Sequence, residues 1–460
     1  MSTERAEFDV VIVGAGPAGL ALAHTLSRTG RRVRVLESAD AVGGRMRTLR
    51  SDGYLIDTGA EMIASAGYPA TWSLIRDLGL STAEVPRVPH PMALWRAGRS
   101  HPRVGHPAGL LTGAGLSVAA RLDLARLLAW GTRERARFDP ERPAHTPVGH
   151  LSVAEALRSY HPEVGEYLVK PLAAGFFGWD SATTAAAPVL AHLFATGGAA
   201  GLRTYRDGMD TLARRLADQL DVVTGCHVRE VAHRHDAHGR PVGVRVNYDG
   251  GSLDAERAVL AVPAPVATRL YPTAPADERA FLKTCDYAPM LRISLALDRP
   301  LAVRPGRGDF ATLIPHTHDT ELAVVTADHR KHPGRVPEGR GLVSLIPTPA
   351  TTKHLLAQPD SVAVERLTAR AERYVPGLRA ALVAATVHRF PHGLPEVTPR
   401  ALALHTQFTT RPVRAVDYAG DWLALRPCSE GAFSTAQTTA ARVCEPVTDA
   451  VAVPGGGRPS

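Results

Sequence analysis

Hydrophobic positions change period early in the chain. Val10-Val11-Ile12-Val13 is uniformly apolar, as a strand buried on both faces requires. From Leu20 to Arg28 the apolar residues recur at helical spacing, and Arg32–Leu36 then alternates as a second strand, closed by Glu37. Between the first strand and the helix lies Gly14-Ala15-Gly16-Pro17-Ala18-Gly19, a G-x-G-x-x-G turn in the strand–turn–helix context that gives the motif its meaning. Gly14 permits the tight turn, Gly16 lets the backbone approach a pyrophosphate, and Gly19 lets the helix pack on the strand. Pro17 fits the first helical turn, where its missing N–H costs nothing. Phosphates would lie over Gly14–Ala18 at the helix N-terminus, where free N–H groups and the dipole favour anions. Glu37, 18 residues beyond Gly19, stands where an acid bonds a ribose hydroxyl, with Ser38 beside it.

The same patterning continues downstream. Thr71–Leu80, Ser117–Phe138 and Leu151–Leu172 read as helices, separated by proline-rich joints at Val85–Pro91 and Pro140–Pro147. A helix over Thr211–Leu220 is followed by strand-like segments at Val222–Val231, Val242–Tyr248 and Leu253–Val262, which return the chain to the first domain. Residues 280–400 alternate between strands (Leu291–Leu297, Leu322–Thr326, Leu342–Leu345) and a helix from Ser361 to Tyr374. The chain thus reads as α/β. A discontinuous Rossmann-like domain (1–80, 201–275 and 405–448) surrounds a helical segment (81–200) and an α+β substrate domain (276–404), with a tail at 449–460.

Composition changes this picture little. A hydrophobic content of 45% and a charged content of 21% are those of a globular protein. The net charge of +8 raises nucleic-acid binding, but the arginines are scattered and form no block, so no nucleic-acid partner is expected. Cys226, Cys285, Cys428 and Cys444 show no C-x-x-C spacing, and His316, His318, His329 and His332 have no ligand partners at metal spacing, so no metal site is expected. Glu4, Glu7 and Asp9 precede the first strand in place of a basic leader, and Ala185–Leu202 is too interrupted to span a bilayer. The expected compartment is the cytoplasm.

Gly43-Gly44-Arg45 follows Glu37, and Asp57-Thr58-Gly59-Ala60-Glu61 follows that. Near the end come Ala419-Gly420-Asp421 and Glu430-Gly431-Ala432-Phe433. Together these segments resemble the flavin-dependent amine oxidase superfamily, which includes monoamine oxidases, protoporphyrinogen oxidases and phytoene-desaturase-like enzymes. The resemblance implies FAD. Gly43, Gly44 and Arg45 add a second wrapping and a charge-assisted donor for the pyrophosphate, and Gly59 and Ala60 pass the isoalloxazine. Val228 would offer its backbone to the adenine, and Gly420 and Asp421 would hold the ribityl or phosphate region. Gly431, Ala432 and Phe433 would begin a helix aimed at the flavin pyrimidine. No cysteine precedes the closing motif where some relatives attach flavin, so the FAD is expected to be noncovalent.

The resemblance also frames the chemistry. Glu61 and Arg292 are the catalytic candidates. Arg292 occupies a strand position where amine oxidases often carry lysine, and its options are to pair with Glu61, to orient a substrate carboxylate or carbonyl, or to stabilise a flavin anion. Phe176, Phe177 and Trp179, in a segment similar to protoporphyrinogen oxidases, are candidates for a substrate wall, together with Trp422 and Cys428. The reaction implied is removal of a hydride from a C–N or C–C bond of a small to medium-sized, specialised metabolite, with O2 or another acceptor. Porphyrinogen aromatisation and a redox-neutral isomerisation on the same cofactor are the alternatives. A homodimer is left open.

Overall fold

The computed structural model describes residues 6–112, 115–139, 142–199, 201–305 and 308–448; the tail read at 449–460 lies outside them. Two seven-stranded sheets organise the chain. In the first, Val416–Tyr418, Gly251–Leu260, Phe8–Val13, Val33–Leu36 and Val222–Val223 lie side by side and parallel. A meander, Val228–His235 and Pro241–Tyr248, runs antiparallel onto the start of Gly251–Leu260. Val10, Val11 and Ile12 are fully buried, as their unbroken apolar run requires for a parallel strand covered on both faces. Helices Pro17–Ser27 and Ser429–Cys444 pack against each other over this sheet, so the beginning and end of the chain meet at one place.

The second sheet runs Leu382–Glu396, Asp286–Leu297, Gly341–Pro347, Leu322–Ala327, Ala311–Leu313, Met92–Arg96 and Arg99–Pro102. Its last two strands come from the segment read as helical (81–200). Met92-Ala93-Leu94-Trp95 is an apolar run too short for a helix and pairs parallel with Ala311–Leu313. The single helix expected over Leu151–Leu172 is instead broken. Ser152 caps a short turn at Val153–Ala156, Pro162 starts another, and a π-helical stretch at Gly165–Val169 leads into Lys170–Phe177. The longest strand among the described residues, Leu382–Glu396, was not legible because it forms a sheet edge and most of its residues are only partly buried, with no alternation of buried and exposed positions. No helix among the described residues is long and apolar enough to cross a membrane.

Candidate active site

A cavity of about 1680 Å³ reaches from the Gly14–Ala18 turn, past the second sheet, to the helices of residues 116–135 and 168–199. Single-ligand pockets typically occupy about 300–1,000 Å³. The cavity therefore has room for a dinucleotide and a further molecule.

At the first end, four loops converge on the cavity. Gly14 adopts φ +107°, and a Cβ there would stand 2.6 Å from Ala261 O, so the turn requires glycine. Gly43 N–H donates to Ala15 O at 2.9 Å, bringing the second glycine loop over the first. Gly59 is equally constrained, because a Cβ would meet Arg45 O at 2.4 Å, while Ala60 N–H donates to that oxygen. The Glu37 carboxylate accepts from Ala15 N–H at 2.7 Å and Ala39 N–H at 2.9 Å, which fixes it on the wall. Arg45 pairs with Asp421 at 2.7 Å and also donates to Gly393 O, so the early and late motifs grip each other. Helices Pro17–Ser27 and Ser429–Cys444 both begin at this wall, capped by Gly16 and Cys428. Open space lies over Gly16, where a Cβ would meet nothing within 4 Å. These donors, helix ends and open volume fit FAD.

Gly14, Gly16, Pro17, Ala18, Glu37, Ser38, Gly44, Arg45, Gly59, Ala60, Val228, Gly420, Asp421 and Ala432 all line the cavity. Gly19, Gly43, Gly431 and Phe433 lie behind the wall. Gly19 packs against Gly14 O, and Phe433 is buried in the core beneath the first sheet.

Glu61 and Arg292 meet on the cavity wall in a buried ion pair. Behind them lies a cluster that the sequence did not reveal. Arg292 also reaches Asp328 at 2.8 Å, and Lys331 stands 3.1 Å from Asp328, 3.5 Å from Asp57 and 3.8 Å from Glu61. Arg335 closes the set on Asp57 at 2.8 Å and donates to Tyr205 O. Three carboxylates thus balance three cations, all buried. Burial pushes the Asp57 and Asp328 carboxyls up, but Arg335 and Lys331 around the first, and Lys331 and Arg292 around the second, hold both below the usual range. Burial also lowers Lys331, against the pull of Asp328 and Asp57. His388, opposite Arg292 in the sheet register, is kept neutral by burial and by that guanidinium, with its pKa lowered to about 4. Asp328, Lys331 and Arg335 follow a strand as an ordinary charged loop, and nothing in their spacing marks them as buried.

The second end of the cavity is largely apolar. Phe176, Phe177 and Cys428 are on its wall, whereas Trp422 lines the cavity beside Asp421 instead, buried and with its indole donating to Val262 O at 3.1 Å. Trp179 is not on the wall; this corrects the expectation that it lines the substrate site. Its indole donates to Pro395 O at 3.1 Å and its ring stacks on Phe177, so it supports the wall from inside the core. Tyr68 and His192, from distant segments, join Cys428 on this wall, and Arg426 stands behind them. Glu430 does not face the cavity. It accepts from Ala70 N–H, Thr71 N–H and the Thr71 hydroxyl, anchoring helix Pro69–Asp77 to the final helix.

Fold and cavity fit a protein that binds a flavin dinucleotide. The family described as flavin containing amine oxidoreductase matches residues 17–444, and the chain belongs to it. Among its relatives, a putative flavin-containing monoamine oxidase of Mycobacterium tuberculosis is 29% identical over 273 residues, 55% of this chain. That match takes in 57% of the relative's own length. The chloroplastic protoporphyrinogen oxidase of Nicotiana tabacum is 24% identical over 78% of this chain and 71% of that protein. Among solved structures, a triple mutant of putrescine oxidase shares the fold with a TM-score of 0.76 at 20% identity, covering 95% of this chain and 98% of that one.

Proposed function

We propose that this protein uses noncovalently held FAD to remove a hydride from a C–N or C–C bond of a medium-sized, largely apolar metabolite, and that small cationic amines are not its substrates. One observation carries this reading: the charge lining the cavity. Nine arginines line it against three carboxylates, Glu37, Glu61 and Asp421; Arg47, Arg229 and Arg389 are paired off the wall with Asp40, Asp249 and Asp360, and the remaining six arginines still outnumber the three carboxylates. Each of the three is already engaged, Glu37 by backbone N–H groups, Glu61 by Arg292 and Asp421 by Arg45. A protonated amine entering this chamber meets a positive field with no carboxylate left over for it. FAD, when bound, supplies the hydride acceptor. The chain's own part is to exclude water with the apolar wall, to orient the substrate, and at Glu61 to accept a proton from it. Arg292 pairs with Glu61 and, as a guanidinium, is no base itself.

Porphyrinogen oxidation is the second reading, favoured by a cavity large enough for a macrocycle beside the cofactor and by Arg103 and Arg135 on its wall, which have no carboxylate partner among the described residues. The test is anaerobic mixing of the FAD-loaded protein with a panel of putrescine, longer monoamines, porphyrinogens and apolar carbonyl compounds. Bleaching of the flavin by an apolar compound, with none by putrescine, is the expected result, and reoxidation in air then distinguishes an oxidase from a dehydrogenase. Rapid bleaching by putrescine refutes the reading.

A further inference from the structure

His192 carries a polar atom that the rest of the site leaves unmatched. Helix Ala186–Thr196 sets its ring on the wall of the apolar half of the cavity. The ring stands edge-on to Tyr68, with centroids 6.1 Å apart, and to Phe177 at 6.3 Å. Arg426 Nε donates to His192 Nδ1 at 3.4 Å. A guanidinium has donors only and keeps its charge, so Nδ1 must present its lone pair, and the proton of the neutral imidazole resides on Nε2. Arg426 is itself held in place, donating to Gly67 O and lying 5.3 Å from the centroid of the Tyr68 ring. Among the described residues no protein acceptor meets Nε2. A donor facing an apolar chamber is unfavourable until an acceptor reaches it.

We propose that His192 Nε2–H donates to an acceptor oxygen of the substrate, so that the chamber selects a carbonyl- or carboxylate-bearing molecule over an amine, and that Arg426 is the positioning residue that keeps the imidazole in this donor form. The proposal rests on the reading of the apolar half of the cavity as the substrate chamber. The surrounding charges agree with it. Burial first, and Arg426 second, lower the imidazole pKa to about 3, so the ring stays neutral across the physiological range. The other ionisable groups around it are Tyr68 and Cys428, both kept neutral as burial pushes their pKa values up, and Glu430, which is committed to Ala70 and Thr71. Glu430 is turned away from the ring, and the charge that acts on the imidazole is that of Arg426, which favours the negative end of a carbonyl dipole and opposes an ammonium.

The test is titration of the oxidised, FAD-loaded protein with decanamide and with decylamine, followed by the flavin absorbance change and by calorimetry. Decanamide is expected to bind at least about tenfold more tightly than decylamine, which corresponds to about 1.4 kcal/mol. His192→Phe, which keeps a ring on the wall, should weaken decanamide by about three- to tenfold. The wild-type affinity for this uncharged probe should be flat with pH. In Arg426→Met burial still lowers the imidazole pKa but the guanidinium no longer does, and the ring is free to interchange tautomers, so affinity should fall as pH rises between about 3 and 6.5. A purely structural role for His192 would not create that pH dependence. If Arg426→Met fails to fold, the His192→Phe comparison still decides. Equal decanamide affinity in wild type and His192→Phe, or tighter binding of decylamine, overturns the proposal alone. Failure of the wild type to bind either probe overturns the chamber reading as well.

Discussion

Arg292→Ala is expected to destabilise the folded protein by about 3–5 kcal/mol, because it leaves two carboxylates buried beside an empty position. Glu61 and Asp328 both lean on this guanidinium, and both are too deeply buried to recover full hydration. Urea unfolding of the two proteins reads the loss as a shift of midpoint. The effect depends on pH in a definite direction. An unfolded Asp titrates near about 3.9, and the folded Asp328 lies below that, so the stability it contributes is complete above this pH and is lost as the pH falls through the folded value. The gap between wild type and Arg292→Ala should therefore narrow below about pH 4. Glu61→Gln separates chemistry from folding. It is nearly isosteric, and it should retain flavin while slowing flavin reduction by about a hundredfold, the scale of a lost general base. Reduction at the wild-type rate would remove Glu61 from the chemistry.

The second large effect lies in the first glycine turn, where two neighbouring glycines should fail in different ways. Gly16 has extended backbone (φ −75°, ψ 178°) and open space above it, so valine fits the fold and projects into the cavity. Gly16→Val should fold with nearly wild-type stability and bind FAD at least about a hundredfold more weakly, about 2.7 kcal/mol. Gly14→Val has no such escape, since φ is +107° and the new Cβ meets Ala261 O at 2.6 Å. It should lose folding stability, and flavin with it. Thermal unfolding and flavin content, measured together, distinguish the two outcomes. Loss of flavin without loss of stability at Gly14, or undiminished flavin at Gly16, would misplace the cofactor.

The legibility of this protein divides along physical lines. Gly14–Gly19, Gly43–Arg45 and Gly420–Asp421 were readable because close backbone approach admits few residue types, so the constraint is written in the residues themselves. The fold class was readable because parallel strands buried on both faces must be continuously apolar, as Val10–Val13 is. The edge strand Leu382–Glu396 and the strands at Met92–Pro102 were not, since a half-solvated or very short strand has no distinctive period. The charge cluster was hidden for a different reason. Asp328, Lys331 and Arg335 look like any surface turn, and only tertiary packing against Asp57 and Glu61 makes them interior. His192, Tyr68 and Arg426 converge from segments far apart in the chain, and no local pattern links them. Trp179 misled because an aromatic beside a glycine suits a cavity wall and a core equally well.

The most direct measurement is the absorbance and chromatography of the supernatant after heat denaturation of the purified protein, compared with the precipitated chain. One FAD per chain, released free, is the result predicted for a dinucleotide held along the Gly14–Asp421 wall without a covalent bond. Flavin remaining on the precipitate, a mononucleotide in the supernatant, or a colourless preparation that takes up no added FAD would contradict it.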